Sequence, residues 1–160
     1  MLTIVLVPFA LALLAPALYR PLGRWSSCAL AAGVLGVFAW FVRQAPGVLD
    51  GNLLTESRTW VPGLGLQLAF LLDGLSLIFA LLVTGMGALV LIYGKGYLGS
   101  GITLVRFQVQ ILAFMGAMLG LVLADDLVMV FVFWELTSVT SYLLIEIGRA
   151  SCRERVFRAV

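Results

Sequence analysis

The chain has 160 residues, 62% of them hydrophobic and only 11% charged, with no histidine and a formal net charge of +2. Its mean hydropathy is +1.13, whereas an average soluble domain is only about 45–50% apolar and about 25% charged. Too little polar surface is left to cover a water-soluble fold, which excludes an ordinary soluble enzyme, a disordered tail, a disulfide scaffold and a nucleic-acid binder with a basic stripe, and leaves an integral membrane protein.

Five apolar stretches approach the roughly 20 residues that a spanning helix needs. The first runs from Leu2 to Tyr19 and carries Pro8 and Pro16, which spanning helices tolerate. Ala15-Pro16-Ala17 loosely imitates a signal-cleavage site. No basic residue precedes the run, however, and the run is longer than a usual signal core, so it is read as a retained span. The second stretch is Ser26 to Val42, the third Gly74 to Tyr93, the fourth Val105 to Ala124 and the fifth Asp126 to Ile145. The expected fold is therefore an all-α integral membrane protein of about five transmembrane helices.

The connections set the orientation. Arg20 and Arg24 follow the first span, and Lys95, with Arg106 at the far edge, follows the third. Arg43 and Arg58 after the second span are balanced by Asp50 and Glu56, and the last connection is Asp125-Asp126 alone. Basic loops face the cytoplasm, so the N-terminus is expected outside and residue 145 inside. Trp60 beside Val61 and Pro62 suits an anchor at interface depth. Leu64, Leu66, Leu68 and Phe70 alternate with Gly65, Gln67 and Ala69. That period of two predicts a short extracytoplasmic strand or hairpin before the third helix, with an ordered apolar loop as the alternative.

Glu135 is the residue out of place, because it sits near the middle of the fifth span. A carboxyl at bilayer centre costs about 2.5–3.5 kcal/mol on insertion scales. Lipid offers nothing to offset this, so Glu135 is expected to face protein or internal water. Low dielectric disfavours its charged form and a nearby cation favours it. A carboxyl held between these influences suits a proton or cation relay; the alternative is polar glue between helices. Ser138 lies three residues on, on the same helical face. It is a candidate to bond the carboxyl, or else, like Thr137, Thr140 and Ser141, its own helix carbonyls. Asp73 opens the third span as a helix cap or as a cation-collecting charge at the outer mouth; Asp125 and Asp126 carry the same two readings. Gly116 and Gly120 form a GxxxG, which permits close helix contact. Cys28 and Cys152 lack any CxxC spacing, and no metal site or cofactor is expected. No nucleophile–base pair, P-loop or dinucleotide fingerprint is present, so a transporter component is expected rather than an enzyme.

Three runs resemble one family: WVPGLGLQLAFLLDGLSLIFALLVTGMGALVLIY at 60–93, FMGAMLGLVLADD at 114–126 and FWELTSVTSYLLI at 133–145. They are similar to the antiporter-like, proton-translocating membrane subunits, a superfamily that includes the A subunit of Mrp-type Na+/H+ antiporters and the large antiporter-like subunit of respiratory complex I. The FMGAMLG and FWELTS wording resembles the Mrp protein more closely. The resemblance implies a core of inverted repeats, an outside N-terminus, and a glutamate at Glu135 that pairs with a lysine on a later helix. It also implies partner membrane subunits, Na+ and H+ as the transported ions, and residence in a cell membrane such as a bacterial inner membrane. The alternatives are a proton-pumping membrane subunit of a complex I-type oxidoreductase or membrane-bound hydrogenase, and a non-transporting scaffold.

Residues 146–160 differ in kind, with four arginines and two glutamates, whereas residues 1–145 balance six basic against six acidic. The string IGRASCRERV at 147–156 resembles a translated sequencing adapter. That resemblance implies a native membrane segment at 1–145, truncated, with a non-native tail at 146–160. The alternative is a basic juxtamembrane tail that meets anionic lipid.

Overall fold

The computed structural model describes residues 1–61, 66–97 and 101–158, and the side chains of residues 1–59, 67–96 and 101–146. Five helices and one hairpin follow in chain order: α1 (Leu2–Leu22), α2 (Ser26–Leu49), β1 (Leu54–Val61), β2 (Leu66–Leu72), α3 (Gly74–Tyr97), α4 (Ile102–Leu123) and α5 (Leu127–Arg158). Four helical stretches are long and apolar enough to cross a membrane: Leu2–Leu49, Gly74–Gly96, Ile102–Leu123 and Leu127–Glu146. The first holds two helices. Its 48 residues would reach about 72 Å if straight, more than twice a bilayer core. It folds back at a 3-10 turn, Gly23–Trp25, where Gly23 takes φ 53°, a backbone state that glycine reaches without steric cost. A Cβ on Gly33 of α2 would lie 2.9 Å from Leu11 of α1, so the two helices run antiparallel. The expected five helices of membrane-spanning length are therefore present.

The remaining contacts give an up-and-down bundle. Phe38 of α2 meets Gly85 of α3, Phe107 of α4 meets Gly94 of α3, and Phe133 of α5 meets Gly120 of α4. Gly87 of α3 also meets Met115 of α4, so residue numbers rise along one of these two helices as they fall along the other. Large side chains seat over glycines throughout, as expected where packing, not water exclusion, drives helix association. The GxxxG of α4 works in this way. Gly116 receives the ring of Phe9 from α1 and Gly120 that of Phe133 from α5, so its two glycines serve two different neighbours.

The expected strand is half of an antiparallel hairpin, β2 pairing with β1 from Leu54↔Leu72 to Val61↔Leu66. Phe70 and Leu72 enter the core beside Val5, Phe41, Leu77, Leu119 and Met129. The Asp125 backbone N–H donates to Ala69 O at 2.9 Å, and Phe70 bridges Ala124, which ties the hairpin to the α4–α5 corner. The side chain of Trp60 and all of Pro62 lie outside the described residues, so the interface anchor is not placed. A second core cluster, with Ala15, Leu30, Leu91, Leu112 and Met115, fills the other half of the bundle. Beyond residue 146, α5 continues as helix to Arg158. The compositional break at 146 thus falls inside a helix.

Candidate functional site

The bundle sorts its charges to two ends. At the hairpin end stand Asp50, Glu56, Asp73, Asp125 and Asp126, with Arg43 and Arg58; at the other stand Arg20, Arg24, Lys95 and Arg106. The Met1 ammonium pairs with Glu56 Oε2, and Arg58 Nε donates to Glu56 Oε1 at 3.0 Å. The hydrogen bond from the Met1 ammonium, above all, holds the Glu56 carboxyl below its usual range.

Asp73 is a helix cap. The Ser76 N–H donates to Asp73 Oδ1 at 2.7 Å, and the Asp73 N–H donates to Ser76 Oγ at 2.8 Å. This reciprocal pair satisfies two backbone donors at the start of α3. The Ser76 backbone N–H first, and the Ser76 side chain next, hold the Asp73 carboxyl below its usual range. A carboxyl whose folded-state pKa is lowered stabilises the fold above its unfolded value, about 3.9. That contribution is lost as pH falls through the lower folded value. Asp73→Ala is therefore expected to cost about 1 kcal/mol at neutral pH. Thermal unfolding of both proteins across a pH series checks this: the gap between them should close only in acid. Asp126 also caps, accepting from the Val128 N–H at 2.8 Å.

Glu135 lies near the middle of the membrane-length part of α5. This helix is the edge of the bundle and packs chiefly on α4, with a smaller contact to β2. Met129 and Thr140 are buried and Phe133 sits on Gly120, which turns the stripe 129-133-136-140 inward. Glu135 is off that stripe and exposed. Within this chain the ring of Phe133 on Gly120 sets the inward stripe of α5 and leaves the carboxyl pointing away from α4. It lines a shallow apolar concavity of about 560 Å³ together with Leu127, Val128, Val130, Phe131 and Trp134. Among the described residues it has no ion-pair partner.

Ser138 opens onto a second, smaller groove of about 220 Å³, shared with Phe114, Met118, Leu121, Thr137 and Ser141. Trp134 lines both grooves. The Ser138 hydroxyl donates to Trp134 O at 3.1 Å, and Thr137, Thr140 and Ser141 likewise bond carbonyls of α5. The structure therefore does not join Ser138 to Glu135, and Asp73 is at the far end of α3 from the middle of the bundle.

Two polar sites have roles not read from the sequence, where Gln108 went unremarked and Lys95 served only to mark orientation. Gln108 is fully buried in α4; its Nε2 donates to Ser26 Oγ at 2.9 Å and to Ser27 Oγ at 2.7 Å. This satisfied cluster pins α4 to the start of α2. Its signal was an amide inside an apolar span. The second is Lys95, whose Nζ lies 3.4 Å from the centroid of the Trp25 ring and 3.5 Å from Cys28 Sγ. Cys28 is half-buried and meets an ammonium.

Residues 60–108 match the family described as NADH-ubiquinone oxidoreductase (complex I), chain 5 N-terminus. The A1 subunit of a Na+/H+ antiporter from Staphylococcus haemolyticus is 40% identical over 157 residues, which is 91% of this chain and 18% of that protein. The A subunit of a Na+/H+ antiporter from Alkalihalophilus pseudofirmus is 44% identical over 143 residues, covering 86% of this chain and 17% of that one. A chain in the structure of the Mrp complex from Dietzia sp. superposes with a TM-score of 0.79 at 37% identity, over 89% of this chain and 15% of its own length. A chain of an archaeal respiratory membrane complex, the membrane-bound sulfane sulfur reductase, superposes at 0.71 with 20% identity, which shows a shared fold. This chain thus spans under a fifth of the length of the antiporter subunits it matches.

Proposed function

We propose that this chain, a relative of the Na+/H+ antiporter A subunits, supplies part of a monovalent-cation/proton antiporter in which Glu135 takes up and passes on protons within the membrane. The observation that carries this reading is the position of Glu135: a carboxyl at mid-span on a face that no other described residue covers. Such a group is not stable against hydrocarbon. A further helix, bringing a cation or internal water, covers it in the assembled protein. Residues 1–145 carry the role, and residues 146–160 stand outside the native segment. The transported ions are Na+ and H+, and the partners are further membrane subunits of a hetero-oligomeric complex in a bacterial membrane. The end with Arg20, Arg24, Lys95 and Arg106 faces the cytoplasm, which puts the N-terminus and the hairpin outside. Asp73 holds the start of α3, and Ser138 supports the helix next to the relay residue.

A second reading, a redox-driven proton pump, is favoured by the complex I family match over residues 60–108. The identity of 40–44% to antiporter subunits, against 20% to the respiratory complex, favours exchange. Everted membrane vesicles holding the assembled complex separate the two. If the interior has been acidified, added Na+ should dissipate the pH gradient. Acidification on addition of NADH, with no response to Na+, would establish the pump instead. Vesicles that do neither would leave the scaffold reading.

A further inference from the structure

The end of the bundle opposite the hairpin is built unlike a mere topology marker. Positive-inside bias requires basic residues near a membrane surface but leaves them free to move. Here two of them are held side by side. Arg24 Nη2 donates to the carbonyl of Lys95 at 3.3 Å, satisfying an acceptor in the last turn of α3. Lys95 in turn rests its ammonium over the ring of Trp25, 3.4 Å from the centroid, an arrangement that fixes a cation against an aromatic face. Trp25 is 64% exposed, so the pair lies on the outer surface of the bundle. Arg20 is exposed in the last turn of α1, just before the turn that carries Arg24. The Tyr19 hydroxyl accepts from the Gly101 N–H at 2.7 Å, which locks the end of α1 to the start of α4.

Among the described residues, no carboxylate forms an ion pair with this group; the ion pairs involve Glu56 at the opposite end. Glu146 is on α5, which packs chiefly on α4 and β2 and so stands across α4 from the cluster. Three cations, two of them pre-positioned, therefore meet the polar–apolar boundary beside an exposed indole. The guanidinium of Arg24 spends one donor on Lys95 and keeps the rest of its planar fork, which suits phosphate oxygens.

We propose that Arg20, Arg24, Lys95 and Trp25 form a binding site for the phosphate headgroup of an anionic phospholipid in the leaflet that this end faces. The indole lies along the glycerol and upper acyl region, and the cations bind the phosphate. The site does not depend on antiport, because it needs only that the chain spans a bilayer.

The test uses the full chain in phosphatidylcholine micelles titrated with phosphatidylglycerol, with retained lipid counted by native mass spectrometry. The combined variant Arg20→Gln, Arg24→Gln, Lys95→Gln is expected to retain phosphatidylglycerol about fivefold less well for each charge removed, about a hundredfold in all. Arg43→Gln with Arg58→Gln, at the other end, should retain it as the parent does, and Lys95→Arg should also keep retention. If the combined variant loses its fold, Arg24→Gln alone should still lower retention about fivefold, with Lys95→Arg as its matched control. Parent-like retention in Arg24→Gln or in the folded combined variant would overturn the proposal. So would an equal loss in the Arg43/Arg58 variant, which would mark a general charge effect. Displacement of the lipid by inorganic phosphate at millimolar concentration would identify a free-phosphate site and overturn the lipid assignment.

Discussion

Glu135→Gln, placed in a full-length antiporter protein carrying this segment, is expected to slow Na+/H+ exchange about a hundredfold or more, a loss in the range seen when a proton-transferring group is removed. The amide keeps the volume and the hydrogen-bonding capacity of the carboxyl but cannot take up a proton. The substitution therefore separates two roles. If Glu135 were only polar glue between helices, glutamine would hold the same contacts, and exchange would continue at close to the parental rate. If Glu135 relays protons, assembly should survive and flux should not. Insertion should be slightly easier for the variant, since a central carboxyl costs about 2.5–3.5 kcal/mol. The measurement is the dissipation of a pH gradient by Na+ in vesicles, normalised to the amount of assembled complex. Parental exchange in a fully assembled variant would remove Glu135 from the relay.

What was readable in the sequence followed from period and composition. Each span is apolar for long enough to be seen without reference to its neighbours. β2 was readable because it is half-buried: Phe70 and Leu72 point into the core while Gln67 is exposed. β1 was not, because LTESRTWV presents no apolar face; Thr55, Ser57, Arg58 and Thr59 are all exposed, and the strand is held by backbone pairing to β2. Glu135 was readable as a residue but not as a direction. α5 is apolar nearly all round from Leu127 to Ile145, so its own pattern does not say which side meets α4. That choice is made by Phe133 on Gly120, a contact between helices. Ser138 shows the same limit from the other side. Spacing placed it beside Glu135, but a hydroxyl on a membrane helix has a carbonyl of its own helix always in reach, and Trp134 O takes it.

The two ends of the bundle follow different rules. Three of the five acidic residues at the hairpin end are engaged by structure: Glu56 by the Met1 ammonium, Asp73 and Asp126 by helix starts. Helix N-termini favour such carboxylates, so their presence there is weak evidence for ion capture. Among the described residues Glu135 has no such partner, and that contrast, more than its identity as a carboxylate, singles it out.

Gly120→Ala should produce the largest stability loss of the small-residue substitutions. A Cβ at this position would run into the ring of Phe133, with three ring atoms closer than any normal contact. The ring cannot yield at one flexible tip, because it is rigid and seated on the glycine. Either Phe133 changes rotamer or α5 moves off α4, and overpacking of this kind costs about 1–3 kcal/mol. Gly36 on α2 supplies the contrast, since a Cβ there meets nothing within 4 Å; Gly36→Ala should instead stabilise by about 0.4–1 kcal/mol through the unfolded chain and helix propensity. Thermal unfolding in one detergent compares the two directly. Adding Phe133→Leu to Gly120→Ala should recover part of the loss, because the smaller side chain leaves room for the methyl group. The same contact sets the rotation of α5, two residues from Glu135. In an assembled antiporter Gly120→Ala should therefore lower exchange even where the protein remains folded, and the Phe133→Leu pairing should restore part of it. Equal stability of Gly120→Ala and Gly36→Ala would show that Phe133 does not seat α5 on α4, and the direction assigned to Glu135 would fall with it.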